Sequence, residues 1–115
     1  MLPRSRCLNL KKDFKWVASG KRLESKFAKM FIKTGDNTFP RIGIAVSAKT
    51  FKKATERNRA RRLISQAFQT IYCQLPAAIN IAALPKASIV EVKSTDVSLD
   101  LEEVLKDEKI INWPD

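Results

Sequence analysis

Four arginines fall within six positions of this chain, at Arg57, Arg59, Arg61 and Arg62, and Asn58 stands among them. A guanidinium offers a planar fork of donors that can engage a phosphate or a base edge through two hydrogen bonds at once, which an ammonium cannot match. Asn58 can donate and accept together, so it can contact a sugar or orient a neighbour. Lys49, Lys52 and Lys53 arrive just before the cluster, and Glu56 is the one acid between residues 49 and 62. An Arg-rich face can be merely solvated, but solvated helix faces alternate their charge signs, and this stretch does not. The chemistry on offer is the binding of a polyanion. A free helix N-terminus nearby would add backbone N–H groups to it.

Catalysis by the chain itself has little to draw on. The sequence holds no histidine, which removes His-based acid–base work, Ser–His triads and His-containing metal sites. Cys7 and Cys73 lie far apart and form no metal-binding pair, as suits a reducing cytosol. No cluster of carboxylates converges, so no protein-bound metal or cofactor is expected. The net charge of +10 is uneven. Residues 1–75 carry 18 Lys and Arg against 4 Asp and Glu, whereas residues 76–115 carry 4 against 8. A +14 segment next to a −4 segment describes one basic face and one acidic or neutral face. Nucleic-acid phosphate is the commonest partner for such a face, with an acidic membrane surface next. The 115 residues make one domain, 1–115. No apolar run approaches the roughly 18 residues of a membrane span, and the start of the chain lacks the pattern of a secretory signal. A cytoplasmic protein is expected.

The elements that must hold the cluster follow from periodicity. Leu10, Phe14, Val17 and Ala18 share one face of a short helix, with Gly20 at its C-terminal end. From 23 to 33 the period becomes two, with Ala28, Met30 and Ile32 on one side and Phe27, Lys29, Phe31 and Lys33 on the other. The second set either stacks unpaired bases or sends its phenylalanines into the core while its lysines snorkel. Gly35-Asp36-Asn37 is turn chemistry, which predicts a hairpin to a strand at 41–47. Ala60, Leu63, Ile64, Ala67, Phe68, Ile71 and Leu75 then mark a long amphipathic helix, with Thr55 as N-cap and Pro76 as stop. At about 100° per residue from Ala60, Asn58, Arg61, Arg62, Ser65 and Gln69 fall on the side away from the core. A strand at 79–84, a possible short strand at 89–93, a helix at 96–108 and a loose tail at about 109–115 complete the chain. The pattern is α+β, with helices packed on one face of a small sheet.

Arg57-Asn58-Arg59-Ala60-Arg61-Arg62-Leu63 resembles the signature helix of the protein subunit of bacterial ribonuclease P. Leu2-Pro3, Asp13-Phe14, Gly20-Lys21-Arg22 and Arg41-Ile42-Gly43-Ile44-Ala45-Val46-Ser47 are similar to that family's flanking segments. The resemblance is good over residues 1–85, and reaches the last helix only as a pattern. It implies a small sandwich: a four-stranded mixed sheet with helices packed on it, like the second domain of ribosomal protein S5, with a left-handed βαβ crossover. It also implies a protein that binds the catalytic ribonuclease P RNA and the 5′ leader of precursor tRNA. The RNA would remove the leader, using Mg²⁺ held mainly by RNA, with no obligate protein partner and no membrane. By the same resemblance Arg57, Asn58, Arg59, Arg61, Arg62 and Lys49 bind RNA, and Lys52 and Lys53 are expected to join them from their place just before the helix. Phe14 and Ser65 would belong to a leader cleft between that helix and the sheet. Four positions depart from the family: Ala48 where a lysine is usual, Ser65 for an arginine, Ala18 for an aromatic and Met30 for a strand tyrosine.

A ribosomal-protein-like RNA-binding module is the alternative function; a self-sufficient nuclease finds no candidate base or metal cluster. Replacing Arg61 with alanine should weaken RNA binding and make the plot of log affinity against log salt shallower by about one unit. Filter binding across a salt series measures this, and an unchanged slope would place Arg61 away from phosphate.

Overall fold

A nearly unbroken apolar stretch, Ile79–Pro85, decides where the centre of the molecule lies. The computed structural model describes residues 8, 10–36 and 38–107, so the expected extended start at Leu2-Pro3, Asn37 of the turn and the tail at about 109–115 lie outside the described residues. In chain order the elements are α1 (Leu10–Ala18), β1 (Lys21–Glu24), β2 (Ala28–Thr34), β3 (Arg41–Ile44), α2 (Ala54–Ile71), β4 (Ile79–Pro85) and α3 (Ser94–Asp107). Short 3₁₀ turns at Tyr72–Gln74 and Ala87–Glu91 flank β4.

The four strands form one mixed sheet in the order β1-β2-β4-β3. β2 runs antiparallel to both β1 and β4, and β3 runs parallel to β4. Ile81 is the registration point, facing Ile32 across one ladder and Ile42 across the other. β2 and β3 do run in opposite directions, but they are not the neighbours that the turn signal at Gly35 predicts, because β4 enters between them. The cause is apolar content. Ile79 to Ala83 are buried without a gap, and only a central strand can bury both of its faces.

The expected single strand at 23–33 is two strands. Ser25 breaks it: its backbone N–H donates to the Ala28 carbonyl at 2.8 Å, and its hydroxyl accepts from the Ala28 N–H at 3.1 Å. The alternation is reset at this turn, so Phe27 does not share a face with Phe31. Phe27 packs against the larger core, and Phe31 against the smaller one. The stretch 89–93 contributes no strand either; it falls on the second 3₁₀ turn and the residues after it, and places Ile89 wholly inside. α2 starts one residue before Thr55. Lys53 is its N-cap residue and makes no side-chain cap bond.

Helices cover both faces of the sheet, not one. On one side, α2 and α3 bury Ala60, Ile64, Ala67, Phe68, Leu101 and Leu105 against Met30, Ile42 and Ile81. On the other, α1 sets Val17 on Ala82, with Phe14 and Phe31 packed alongside. Gly20 ends α1 as expected, its N–H reaching the Val17 carbonyl at 3.0 Å. A glycine is needed there because a Cβ would strike the Ile32 carbonyl of β2.

Asp100 is the core residue that apolar periodicity does not find. It lies on the buried side of α3, 8% exposed. Its two carboxylate oxygens accept the N–H groups of Lys26 and Phe27, at 3.3 and 3.2 Å. α3 is thereby tied to the β1–β2 turn. Nearby, Lys86 donates to the Ser25 carbonyl at 2.8 Å and pairs with Glu24 at 2.9 Å. Its hydrogen bond and charge hold the Glu24 carboxyl below the usual carboxylate range. Replacing Asp100 with alanine should leave the Lys26 N–H without its acceptor and the Phe27 N–H with only the Ser25 hydroxyl at 3.4 Å, and cost roughly 1–3 kcal/mol. Urea unfolding measures the loss; an unchanged midpoint would mean that water replaces the carboxylate at no cost.

Candidate nucleic-acid interface

The chain leaves β3 at one end of the sheet and must return to begin β4 beside it, and the basic cluster occupies the first half of that return. Between β3 and α2, Phe51 is buried at 2% exposure and plugs the loop into the core. The loop is also turned by the Phe51 N–H on the Ser47 carbonyl at 2.9 Å and the Lys49 N–H on the Ser47 hydroxyl at 3.1 Å. With Phe51 inside, Lys49, Lys52 and Lys53 are held outside, all exposed. The lysines therefore stand beside the start of α2, as the sequence predicts.

Within the motif the five residues divide. Arg57 reaches back and donates through Nη1 to the carbonyls of Phe51, at 2.8 Å, and Lys52, at 3.2 Å. Arg59 donates through Nε to the Val90 carbonyl at 3.0 Å and through Nη2 to the Val92 carbonyl at 3.1 Å. These two side chains fasten α2 to the loop before it and to the segment before α3. Arg61 faces outward with its Nη1 3.5 Å from the Asn58 Oδ1. Arg61, Arg62, Asn58 and Thr55 line a surface depression of about 420 Å³. Among the described residues no carboxylate pairs with any of the four arginines. The arrangement is a fixed array of N–H donors and positive charge, which can take phosphate oxygens.

Ser65 is not on an exposed face. It is 3% exposed, one turn beyond the exposed Arg61. The first half of α2 is mostly exposed, whereas in the second half Gln66, Gln69 and Thr70 stay exposed and Ser65 on the same side is enclosed. A helical wheel carries no information about that.

The sheet face under α1 supplies the second part of the site. Nine residues of helix span about 13 Å at the usual rise, while the seven-residue strands β2 and β4 span about 23 Å. α1 covers only part of the face. By strand alternation Lys29, Leu84 and Ala45 belong to this same face, and all are half-buried. They lie at the end of the sheet from which the lysine-bearing loop departs. Phe14 and Phe31 border the opening, both half-buried, with ring centroids 6.0 Å apart and planes at 75°. Met30 is fully buried on the other face. Phe31, one residue on, is the strand aromatic beside Phe14. Ala18 is half-buried and Ala48 exposed. Sequence reasoning also missed Trp16, 40% exposed with the Lys33 ammonium 5.1 Å from its ring centre. An aromatic among lysines at 11, 12 and 15 was the available signal.

Among the described residues no three His, Cys, Asp or Glu side chains gather as a metal-ligating group, and no helix is long and apolar enough to cross a membrane. Fold and site together define an α+β protein with a cationic helix and an aromatic-bordered sheet face, surfaces of a kind that suits nucleic acid. The family model described as Ribonuclease P matches residues 2–109. The ribonuclease P protein component of Pseudanabaena sp. is 30% identical over 114 residues, covering 97% of this chain and 98% of the relative. That of Blochmanniella pennsylvanica is 30% identical over 101 residues, with 88% of each chain covered. The solved RNase P protein of Thermotoga maritima superposes with a TM-score of 0.76 at 27% identity, covering 86% of this chain and 96% of that one. A Staphylococcus aureus RNase P protein shares the fold, at a TM-score of 0.79, 22% identity and coverage of 93% and 98%. The chain belongs to the ribonuclease P protein family, and its role is that of the protein subunit of this tRNA-processing endoribonuclease.

The division among the arginines has a measurable consequence. Lysine at 57 or at 59 keeps the charge, but at 59 it cannot fork from two nitrogens to two carbonyls, and at 57 a flexible ammonium replaces the planar, pre-organised group that holds the loop. Each substitution should lower unfolding free energy by about 1 kcal/mol, whereas Arg61→Lys should change it by less than about 0.5. Chemical denaturation of the three variants distinguishes them; equal effects would refute the division.

Proposed function

We infer that this chain binds the catalytic RNA through the exposed half of α2 and the lysines before it, and holds the 5′ leader of precursor tRNA on the open end of the sheet face. The observation that carries this reading is the adjacency of the two surfaces. Asn58, Arg61 and Arg62 form an acid-free depression, and the loop bearing Lys49, Lys52 and Lys53 separates it from the face bordered by Phe14 and Phe31. One surface suits structured RNA through its phosphates. The other suits an unpaired strand, whose bases stack on aromatic rings while lysines follow its backbone. Ser65, being enclosed, supports the helix in this reading and leaves the leader to Phe14, Phe31 and Lys29.

Hydrolysis is assigned to the RNA. The chain offers charge neutralisation and positioning, which an RNA catalyst with a repelled anionic substrate needs most. Mg²⁺ is assigned to the RNA as well. The depression on α2 is lined by Thr55, Asn58, Arg61 and Arg62, and guanidinium groups do not suit a divalent cation that seeks oxygen ligands. The protein acts instead by replacing part of the counterion atmosphere, so less Mg²⁺ is required. The cytoplasm, where precursor tRNA is made in bacteria, is the matching location.

The test is cleavage of precursor tRNA by the cognate RNA over a Mg²⁺ series, with and without protein. The protein should restore cleavage at low Mg²⁺, and no effect there would overturn the proposal. In equilibrium binding to the assembled protein and RNA, Phe31→Ala should weaken binding of precursor tRNA more than of mature tRNA, by about 1–3 kcal/mol for one lost stacking contact.

A further inference from the structure

A second depression lies round α2 from the first, where the helix meets the start of α3. It measures about 470 Å³ and is lined by Arg59, Arg62 and Lys93 together with Gln66, Ser94 and Thr95. Arg62 lines both depressions, so they form one track around the helix. The three cations come from two elements that are distant in sequence. Arg59 is already immobilised by its bonds to Val90 and Val92, so little side-chain entropy remains to be lost there on binding. No carboxylate lines the depression. Asp96 is near in sequence, and its Oδ2 is engaged by the Lys93 N–H at 3.2 Å. Beyond the cations the groove between α2 and α3 continues with Gln66, Gln69, Thr70 and Ser98, and closes at Leu99 and Glu102, whose carboxylate marks the limit of a path for RNA. Neutral donors and acceptors of this kind suit the 2′-hydroxyls of RNA.

We propose that the α2–α3 junction is a second contact for the RNA backbone. The strand bound at Asn58 and Arg61 continues past Arg62 and sets a phosphate among Arg59, Arg62 and Lys93. The occupant is the ribonuclease P RNA, because the leader has its own surface on the far side of the sheet. The inference rests on the function proposed above and extends it to Lys93, a residue of the half of the chain with net negative charge.

Binding of the full chain to its cognate ribonuclease P RNA across a salt series tests it, using two variants. Lys93→Ala removes one cation and should make the log–log salt slope shallower by about 0.7–0.9, the counterion equivalent of one phosphate. Thr95→Glu places a carboxylate in the first turn of α3, where the helix dipole favours it. Its melting temperature should therefore not fall, while RNA affinity should drop several-fold. If wild type binds and Arg61→Ala binds less tightly, but Lys93→Ala and Thr95→Glu bind as wild type does, this second contact is overturned and the proposed function stands. Wild type that shows no preference for ribonuclease P RNA over an unrelated RNA overturns the proposed function itself. Variants that lose affinity for precursor tRNA alone also overturn the assignment, since the occupant would then be the substrate.

Discussion

The molecule depends on β4 being paired on both sides. Its parallel partner β3 ends at the edge of the sheet remote from where β4 begins, and no tight turn can join two adjacent parallel strands. The chain must cross over the sheet, and α2 is that crossing. Its 18 residues are long enough to carry an apolar stripe along the core and still project at the start. The position of the cationic residues is therefore set by sheet topology before any charge is considered. Phe51 fixes the approach by entering the core, which leaves the lysines of the loop nowhere to go but outward.

Burial on both faces of β4 also makes the two sides of the protein interdependent. Ile81 and Ala83 belong to the core under α2 and α3, and Ala82 between them belongs to the core under α1. The helix that presents arginines and the helix that borders the open sheet face share one strand as their common floor. Their spacing is fixed through backbone hydrogen bonds. In the function proposed, this rigid connection keeps the two RNA-holding surfaces in a constant relation.

Much of this was legible in the residues. The amphipathic period of α2, the end of α1 at Gly20 and the buried side of α3 all follow from local pattern, because each depends on one element meeting one core. What local pattern missed has other causes. The place of β4 between β2 and β3 is decided by competition among strands for the centre. The break at Ser25 is a local turn whose next two N–H groups are tied to Asp100, and the burial of Asp100 depends on that partner far along the chain. The candidate site divides in the same way. The cluster of arginines was visible from spacing, but the commitment of Arg57 and Arg59 to main-chain carbonyls was not, since those carbonyls are reached only after folding. Counting alternation through the turn put Phe27 on the face of Phe31, and the structure parts them.

Two of the motif's arginines thus serve the protein's own main chain. Selection for RNA recognition alone would tolerate lysine at 57 and 59 wherever charge suffices. Selection acting through foldedness would favour arginine at both, since Arg59 spans two carbonyls from two nitrogens and Arg57 reaches two from one pre-organised group. In a lineage that lost its RNA partner, Arg61 and Arg62 would be free to drift, while Arg57 and Arg59 would persist as relics that still look like an RNA-binding signature.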